Sequence, residues 1–254
     1  MNSYLILALV VLCYMIVWYG ISLVLKRNDV ADIAWGLGFV LVSWVSFYLS
    51  PNTERGLLVA VLVTLWGIRL SLHIFLRNLN KPEDFRYRNW RDSWKHFYLR
   101  SFLQVFILQG LFLYIISLSV IFIQQDHTRH LSLIDWVGTT VWVVGFLMES
   151  VSDYQLKAFK KEPEHAGRII TTGLWKYSRH PNYFGEVVQW WGIFLIALPL
   201  PGGWMTLVSP LTITYLIRYV SGVPMLERKY AGNSEFEHYK KRTSIFFPLP
   251  PGRG

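Results

Sequence analysis

Seven apolar runs of about membrane-spanning length dominate this chain and restrict what it can fold into. They cover residues 4–25, 30–50, 56–76, 102–123, 133–151, 184–200 and 204–221. The mean hydropathy of +0.32 and the 53% share of hydrophobic residues are high for a soluble domain of 254 residues. Because only internally hydrogen-bonded segments cross a bilayer, the pattern predicts an all-α bundle of about seven transmembrane helices. We expect one multi-pass domain over residues 1–254.

The basic residues predict an orientation for this bundle. Most of the 25 Lys and Arg fall in alternate connections, around residues 26–27, 77–100, 157–179 and 228–253. The positive-inside rule therefore predicts an N-terminus outside and a cytoplasmic C-terminus. The net charge of +9 reflects this topology, so no nucleic-acid partner is expected. Cys13 is the single cysteine, which excludes an intramolecular disulfide and a thiol metal site.

A short polar motif stands directly before the sixth run. The sequence RHPNYFGE at 179–186 contains Asn182, Tyr183 and Glu186, and its Pro181 suits the first turn of a helix. Polar side chains at a membrane boundary are costly unless they bind something. The motif therefore predicts a ligand site where a polar loop enters a helix. No metal site is predicted, although His127 and His130 lie close together.

Three charged residues lie within or beside the apolar runs. Asp32 is either an acid favoured by a helix N-terminus or a catalytic group, since an unpaired buried carboxylate is expensive. Arg69 lies about three turns deep in the third run and requires a carboxylate or phosphate partner. Asp153 belongs to a row with Glu149 and Lys157 at i, i+4 and i+8, which is also compatible with a solvated helix end.

Several segments carry a family likeness. ESVSDYQLK at 149–157, GLWKYSRHPNYFGEVVQW at 173–190 and FEHYKKRTSIFFP at 236–248 resemble the C-terminal half of steroid 5-alpha-reductases. This similarity covers about residues 149–248. With NDVADIAWG at 28–36, the whole chain looks like the bacterial branch of that superfamily, usually labelled a domain of unknown function. The resemblance implies a multi-pass protein of a bacterial cytoplasmic membrane.

The resemblance also implies a reductase that uses NADPH and takes a lipid-like substrate from the bilayer. Matching positions imply a cofactor site formed by Arg69, Asp153, Lys160, Arg168, Asn182, Tyr183 and Glu186. In the family reaction, hydride adds to the β-carbon of an enone while an acid and a phenol polarise the carbonyl oxygen. Asp32 stands where the acid is expected and would polarise the carbonyl or donate the proton. Trp66 occupies the phenol's position, and an indole donates only one hydrogen bond.

Two alternatives remain open. The RHPNY motif, followed by Glu227 and Tyr239, also resembles isoprenylcysteine and phospholipid methyltransferases, which bind S-adenosylmethionine. Cations such as Arg69, Lys160 and Arg168 suit a phosphate-bearing cofactor better than this methyl donor. A catalytically inactive membrane protein that binds lipid or sterol is the third interpretation, because Trp66 replaces the expected phenol.

Overall fold

The computed structural model describes residues 3–127 and 130–252, and over these residues the chain is helical without a strand. Five helices are long and apolar enough to cross a membrane: α1 (Ser3–Leu25), α2 (Val30–Tyr48), α3 (Glu54–Asn78), α5 (Phe97–Gln125) and α6 (Leu133–Lys161). The short helix α4 (Phe85–Ser93) precedes α5. The prediction of an all-α, multi-pass membrane protein is confirmed.

The last two apolar runs are also helical, but their helices are shorter. The sixth run forms α7 (Pro181–Ala197), which has 17 residues. The seventh begins as a 3-10 helix, Gly203–Leu207, continues as α8 (Val208–Tyr215) and ends in a π-helical turn, Leu216–Val220. Two further helices follow, α9 (Val223–Lys229) and α10 (Ser234–Arg242). The count of seven spans and the orientation of the termini stay predictions.

The chain divides into two compact units. The N-terminal unit contains Met1–Ser132 and Ala197–Ser209, and the C-terminal unit contains Leu133–Ile196 and Pro210–Gly254.

Glycines let α2 and α3 approach closely in the N-terminal unit. A Cβ atom on Gly67 would lie 2.6 Å from the carbonyl oxygen of Gly36, a distance that side-chain carbon atoms do not adopt. One turn further along α3, the Ser71 hydroxyl donates to the carbonyl of Ile33 at 2.8 Å. This contact holds the first turns of α2, where Asp32 lies, against α3.

The C-terminal unit uses the same device between α6 and α7. A Cβ atom on Gly185 would lie 2.6 Å from both the Gly145 carbonyl oxygen and the Glu149 amide nitrogen. Gly192 approaches Gly138 in the same way, two turns after Gly185 on α7 and two turns before Gly145 on α6. Backbones that approach this closely bring the side chains on either side of the glycines within hydrogen-bonding distance.

Candidate functional site

Asp32 lies in the first turn of α2 and accepts hydrogen bonds on both carboxylate oxygens. The Tyr87 hydroxyl donates to Oδ1 at 2.6 Å, and Nη2 of Arg86 donates to Oδ2 at 2.6 Å. Both donors belong to α4. We call Asp32, Arg86 and Tyr87 the acid–phenol cluster.

Ion pairs hold α4 over the start of α2. Asp84 caps α4 by accepting from the amide of Arg86, and its own amide donates to Asp29 at 3.1 Å. Glu83 accepts from the amide of Asn28 at 2.5 Å and from the guanidinium of Arg91 at 3.1 Å. The polar residues just before α2 and just before α4 are therefore linked by charge-assisted hydrogen bonds, which are stronger than neutral ones.

The electrostatics of the acid–phenol cluster favour a protonated phenol. Tyr87 is only 2% exposed, and burial raises its pKa well above the usual 10.0. The negative charge of Asp32 raises it further, whereas the nearby Arg86 guanidinium lowers it. Burial alone would lower the pKa of Arg86, but the effects of Asp32, Tyr87 and Asp84 together more than offset this and raise it. The cluster thus combines a charged guanidinium, an acceptor carboxylate and a phenol that keeps its proton.

The other two predicted residues of the N-terminal unit lie on α3. Trp66 is 1% exposed and packs edge-to-face against Phe39, with ring centroids 5.3 Å apart. Arg69 is half-buried one turn further along. The hydrogen bonds described for the Asp32 carboxylate come from α4, and Tyr87 is the aromatic donor among them. No periodic pattern points to Tyr87, which lies in a polar connection outside the apolar runs.

In the C-terminal unit, polar side chains of α6 and α7 meet. Asn182 donates through Nδ2 to Oδ1 of Asp153 at 3.1 Å. Two turns deeper, Gln189 donates to Oε2 of the buried Glu149 at 2.6 Å. The buried Glu186 belongs to the same face of α7. The structure therefore brings together Asp153 and Asn182, which the sequence predicts as parts of one site.

Three other predicted residues surround this pair in sequence. Tyr183 stacks on the His180 ring, with centroids 5.7 Å apart and the planes inclined by 10°. Lys160, in the last turn of α6, and Arg168, in the following loop, are both exposed. Cations and an amide–carboxylate pair are groups that suit a phosphate-bearing nucleotide.

The remaining motif residues fasten the loop before α7 to the C-terminal helices. Arg179 donates to Oε1 of Glu227 at 2.8 Å and to the carbonyl of Thr243 at 2.7 Å. His180 contacts the same Glu227 oxygen at 3.2 Å. The Tyr239 hydroxyl donates to the carbonyl of Trp175. We call Arg179, His180, Glu227 and Tyr239 the C-terminal clasp.

The clasp perturbs the titration of its own members. Burial lowers the pKa of His180 below 6.5, and this outweighs the opposite effect of its hydrogen bond with Glu227. Burial would raise the pKa of Glu227, but hydrogen bonds from His180 and Arg179 lower it below 4.5. The clasp therefore contains an ion pair between Arg179 and Glu227 and favours a neutral His180. Arg179 and His180 belong to the motif for which the sequence predicts a ligand site, and the structure shows both in contact with Glu227 of the same chain.

Among residues 3–127 and 130–252, no group of three or more His, Cys, Asp or Glu side chains is placed to hold a metal ion.

Known proteins resemble this chain as the sequence motifs predicted. The 3-oxo-5-alpha-steroid 4-dehydrogenase 1 of Bos taurus is 29% identical over 172 residues, which are 61% of this chain and 64% of that protein. The enzyme of the same name from Rattus norvegicus is 30% identical over 122 residues, 45% of this chain and 44% of that protein. The chain thus matches less than two thirds of the length of these relatives. No solved structure matches.

A weaker match points to a different enzyme class. The protein-S-isoprenylcysteine O-methyltransferase of Saccharomyces cerevisiae is 29% identical over 97 residues, 35% of this chain and 36% of that protein.

The match to a family model is the most extensive of these similarities. Residues 18–243 match the family described as "Protein of unknown function (DUF1295)". This range covers most of the chain and both units. The chain therefore belongs to the DUF1295 family, within a steroid 5-alpha-reductase-like superfamily.

Proposed function

We propose that this protein is an NADPH-dependent membrane reductase that saturates a carbon–carbon double bond conjugated to a carbonyl in a lipid-like substrate. The observation that carries this proposal is the hydrogen bond from the Tyr87 phenol to the Asp32 carboxylate. A phenol O–H that donates to the carbonyl oxygen assists the reduction of an enone, whereas methyl transfer needs no such donor. The two steroid dehydrogenase relatives support the same reaction class.

In this proposal the acid–phenol cluster polarises the carbonyl. When the substrate binds, the Tyr87 hydroxyl would turn its single hydrogen from Asp32 to the carbonyl oxygen of the substrate, where it stabilises the negative charge that develops as hydride reaches the β-carbon. In the free protein Asp32 holds the phenol through that hydrogen, and Arg86 balances the charge of Asp32. Both oxygens of Asp32 accept hydrogen bonds. Tyr87 is therefore the proposed donor, and Asp32 acts through it.

The hydride would come from NADPH, and the residues of the C-terminal unit fit that cofactor. Asn182 and Asp153 form a hydrogen-bonded amide–carboxylate pair, which can hold a carboxamide or a ribose hydroxyl. The exposed Lys160 and Arg168 suit phosphate groups. Tyr183 and Glu186 complete the predicted set in this unit. Arg69 in the N-terminal unit and Trp66 beside it stay candidates for the cofactor and substrate, respectively.

The family resemblance and the distribution of basic residues also support a cellular location. We place the protein in the cytoplasmic membrane of a bacterium, as a single domain with seven spans, an outer N-terminus and a cytoplasmic C-terminus. The apolar substrate enters from the bilayer, and the cofactor comes from the cytoplasm, where the basic connections are predicted to lie.

S-adenosylmethionine-dependent methyl transfer is the second candidate. The yeast methyltransferase match favours it. The resemblance to methyltransferases includes Glu227, but here the Glu227 carboxylate binds Arg179 and His180.

A cofactor panel on the purified full chain tests the proposal. We expect NADPH, at a hundred times its Kd, to stabilise the fold by about 2.7 kcal/mol in a thermal-shift assay, with no shift from S-adenosylmethionine. Asn182→Ala should abolish the NADPH shift, while Asn89→Ala, at an exposed position of α4, should keep it. A shift with S-adenosylmethionine alone would refute the reductase. An inactive lipid-binding protein would bind NADPH yet oxidise none in the presence of enone lipids.

A further inference from the structure

The segment from α4 to the first turn of α5 has a basic surface that the proposed reaction does not use. Its outward cations are Arg88, Lys95 and Arg100, all exposed. Asp92 is the exposed carboxylate between them. A surface with three cations and one carboxylate attracts an anionic partner. We call residues 85–100 the basic surface segment.

Aromatic side chains are interleaved with these cations. Trp90 and Trp94 stack with ring centroids 5.1 Å apart and planes inclined by 8°. The Arg91 guanidinium lies 4.4 Å from the centroid of the Phe97 ring. Tyr98 is 64% exposed and lies next to Leu99, which is 61% exposed. Trp and Tyr next to Lys and Arg are typical of elements that lie at a membrane surface.

The basic surface segment leads directly into a helix that is long enough to cross the membrane. α5 begins at Phe97 and is one of the helices long enough to span the membrane, so Tyr98, Leu99 and Arg100 lie at the end of a span. The opposite side of α4 is already occupied, because Arg86 and Tyr87 bind Asp32. Arg91 is likewise occupied by Glu83. The exposed cations Arg88, Lys95 and Arg100 therefore lie outside these contacts, close in sequence to the end of a candidate span.

We propose that the basic surface segment binds the headgroups of anionic phospholipids through Arg88, Lys95 and Arg100, with Tyr98 and Leu99 inserted among the acyl chains. Guanidinium and ammonium groups pair with the lipid phosphates, and the apolar side chains replace water with hydrocarbon. The lipid thereby holds α4 against the membrane. This proposal concerns lipid binding and does not depend on the reductase activity.

The test is hydrogen exchange on the full chain reconstituted into nanodiscs. One lipid composition is pure phosphatidylcholine, and the other contains about a third phosphatidylglycerol. We expect backbone amides of residues 86–100 to exchange about tenfold more slowly with phosphatidylglycerol, since each cation adds attraction to an anionic leaflet. The Arg88→Gln, Lys95→Gln, Arg100→Gln triple variant should lose this difference.

A second triple variant provides the matched control. Arg228→Gln, Lys241→Gln and Arg242→Gln remove the same charge from exposed positions in the C-terminal unit, and this variant should keep the slow exchange of residues 86–100. Glycerol phosphate added to phosphatidylcholine discs should not slow the exchange, because a free phosphate lacks the acyl chains. Equal exchange in the two lipid compositions, or loss of the difference in both triple variants, would overturn the proposal.

Discussion

The C-terminal clasp provides a prediction that needs no substrate. Arg179→Met keeps an unbranched apolar side chain but removes the guanidinium. The structure shows what is lost: two contacts to Oε1 of Glu227 at 2.8 Å, the bond to the Thr243 carbonyl at 2.7 Å and the bond to the Lys240 carbonyl at 3.3 Å. The Glu227 carboxylate then keeps only His180 among its partners described here.

The size of the effect follows from burial. The Arg179 side chain is 7% exposed and that of Glu227 is 16% exposed, so the ion pair is largely shielded from water. Breaking a buried ion pair by removing one partner costs about 3–5 kcal/mol, because the other charge stays buried without compensation. The slight exposure of Glu227 places this case near the lower limit, at about 3 kcal/mol. Such a change accelerates local opening by about two orders of magnitude.

Hydrogen exchange in detergent measures this opening. The amide of Arg179 donates to the carbonyl of Ser244, and the amide of Thr243 donates to the carbonyl of Tyr239. Both amides should exchange about a hundredfold faster in Arg179→Met. Lys241→Met is the control, since it removes a cation from an exposed position of α10 and should change stability by less than about 0.5 kcal/mol. Adding Glu227→Gln to Arg179→Met should restore part of the protection. Exchange within threefold of the original chain would refute the assigned role of the ion pair.

Three further predictions follow from other contacts. Tyr87→Phe should reduce enone reduction by about 10²–10⁴-fold while leaving NADPH affinity unchanged, and an unchanged rate would exclude Tyr87 as the donor. Acidification should lower the melting temperature in two stages, because the folded chain lowers the pKa values of His180 and Glu227. The unfolded chain therefore binds more protons than the folded chain, at the position of His180 below about pH 6.5 and at that of Glu227 below about pH 4.5. His180→Gln should remove the first stage. Gly185→Ala should destabilise the fold by about 1–3 kcal/mol, because its Cβ would lie 2.6 Å from two backbone atoms, whereas Gly20→Ala, with nothing within 4 Å, should be neutral or stabilising.

Much of the architecture was predictable because hydropathy reports length and environment directly. The first five apolar runs correspond to α1, α2, α3, α5 and α6. Helical spacing also predicted that Glu149 and Asp153 share a face of their helix. The structure pairs Asp153 with Asn182 and Glu149 with Gln189. Spacing alone contains no information on which helices are neighbours, so it could not identify these partners.

The clasp was harder to predict for a physical reason. Arg179 and His180 have the same chemistry whether they bind a ligand or a carboxylate of the same chain, and their partner Glu227 lies almost fifty residues further along. A motif rich in polar residues therefore indicates that its polar groups need hydrogen-bond partners. It does not indicate whether those partners belong to a ligand or to the same chain. Here the loop satisfies two of them with the C-terminal helices, while Asn182 and Tyr183 begin α7.

The proposed reaction assigns to a residue of α4 the role that the family resemblance places at Trp66 on α3. An indole N–H is a weak acid, so Trp66 is poorly suited to polarise a carbonyl. The structure instead directs a phenol at Asp32 from α4, a helix that lies outside the apolar runs and is held there by Glu83 and Asp84. Burial keeps that phenol protonated, as a donor must be. If the proposed reaction is correct, Tyr87→Phe removes activity and Trp66→Phe, which preserves the packing on Phe39, leaves most of it. The opposite ranking would return the donor role to α3.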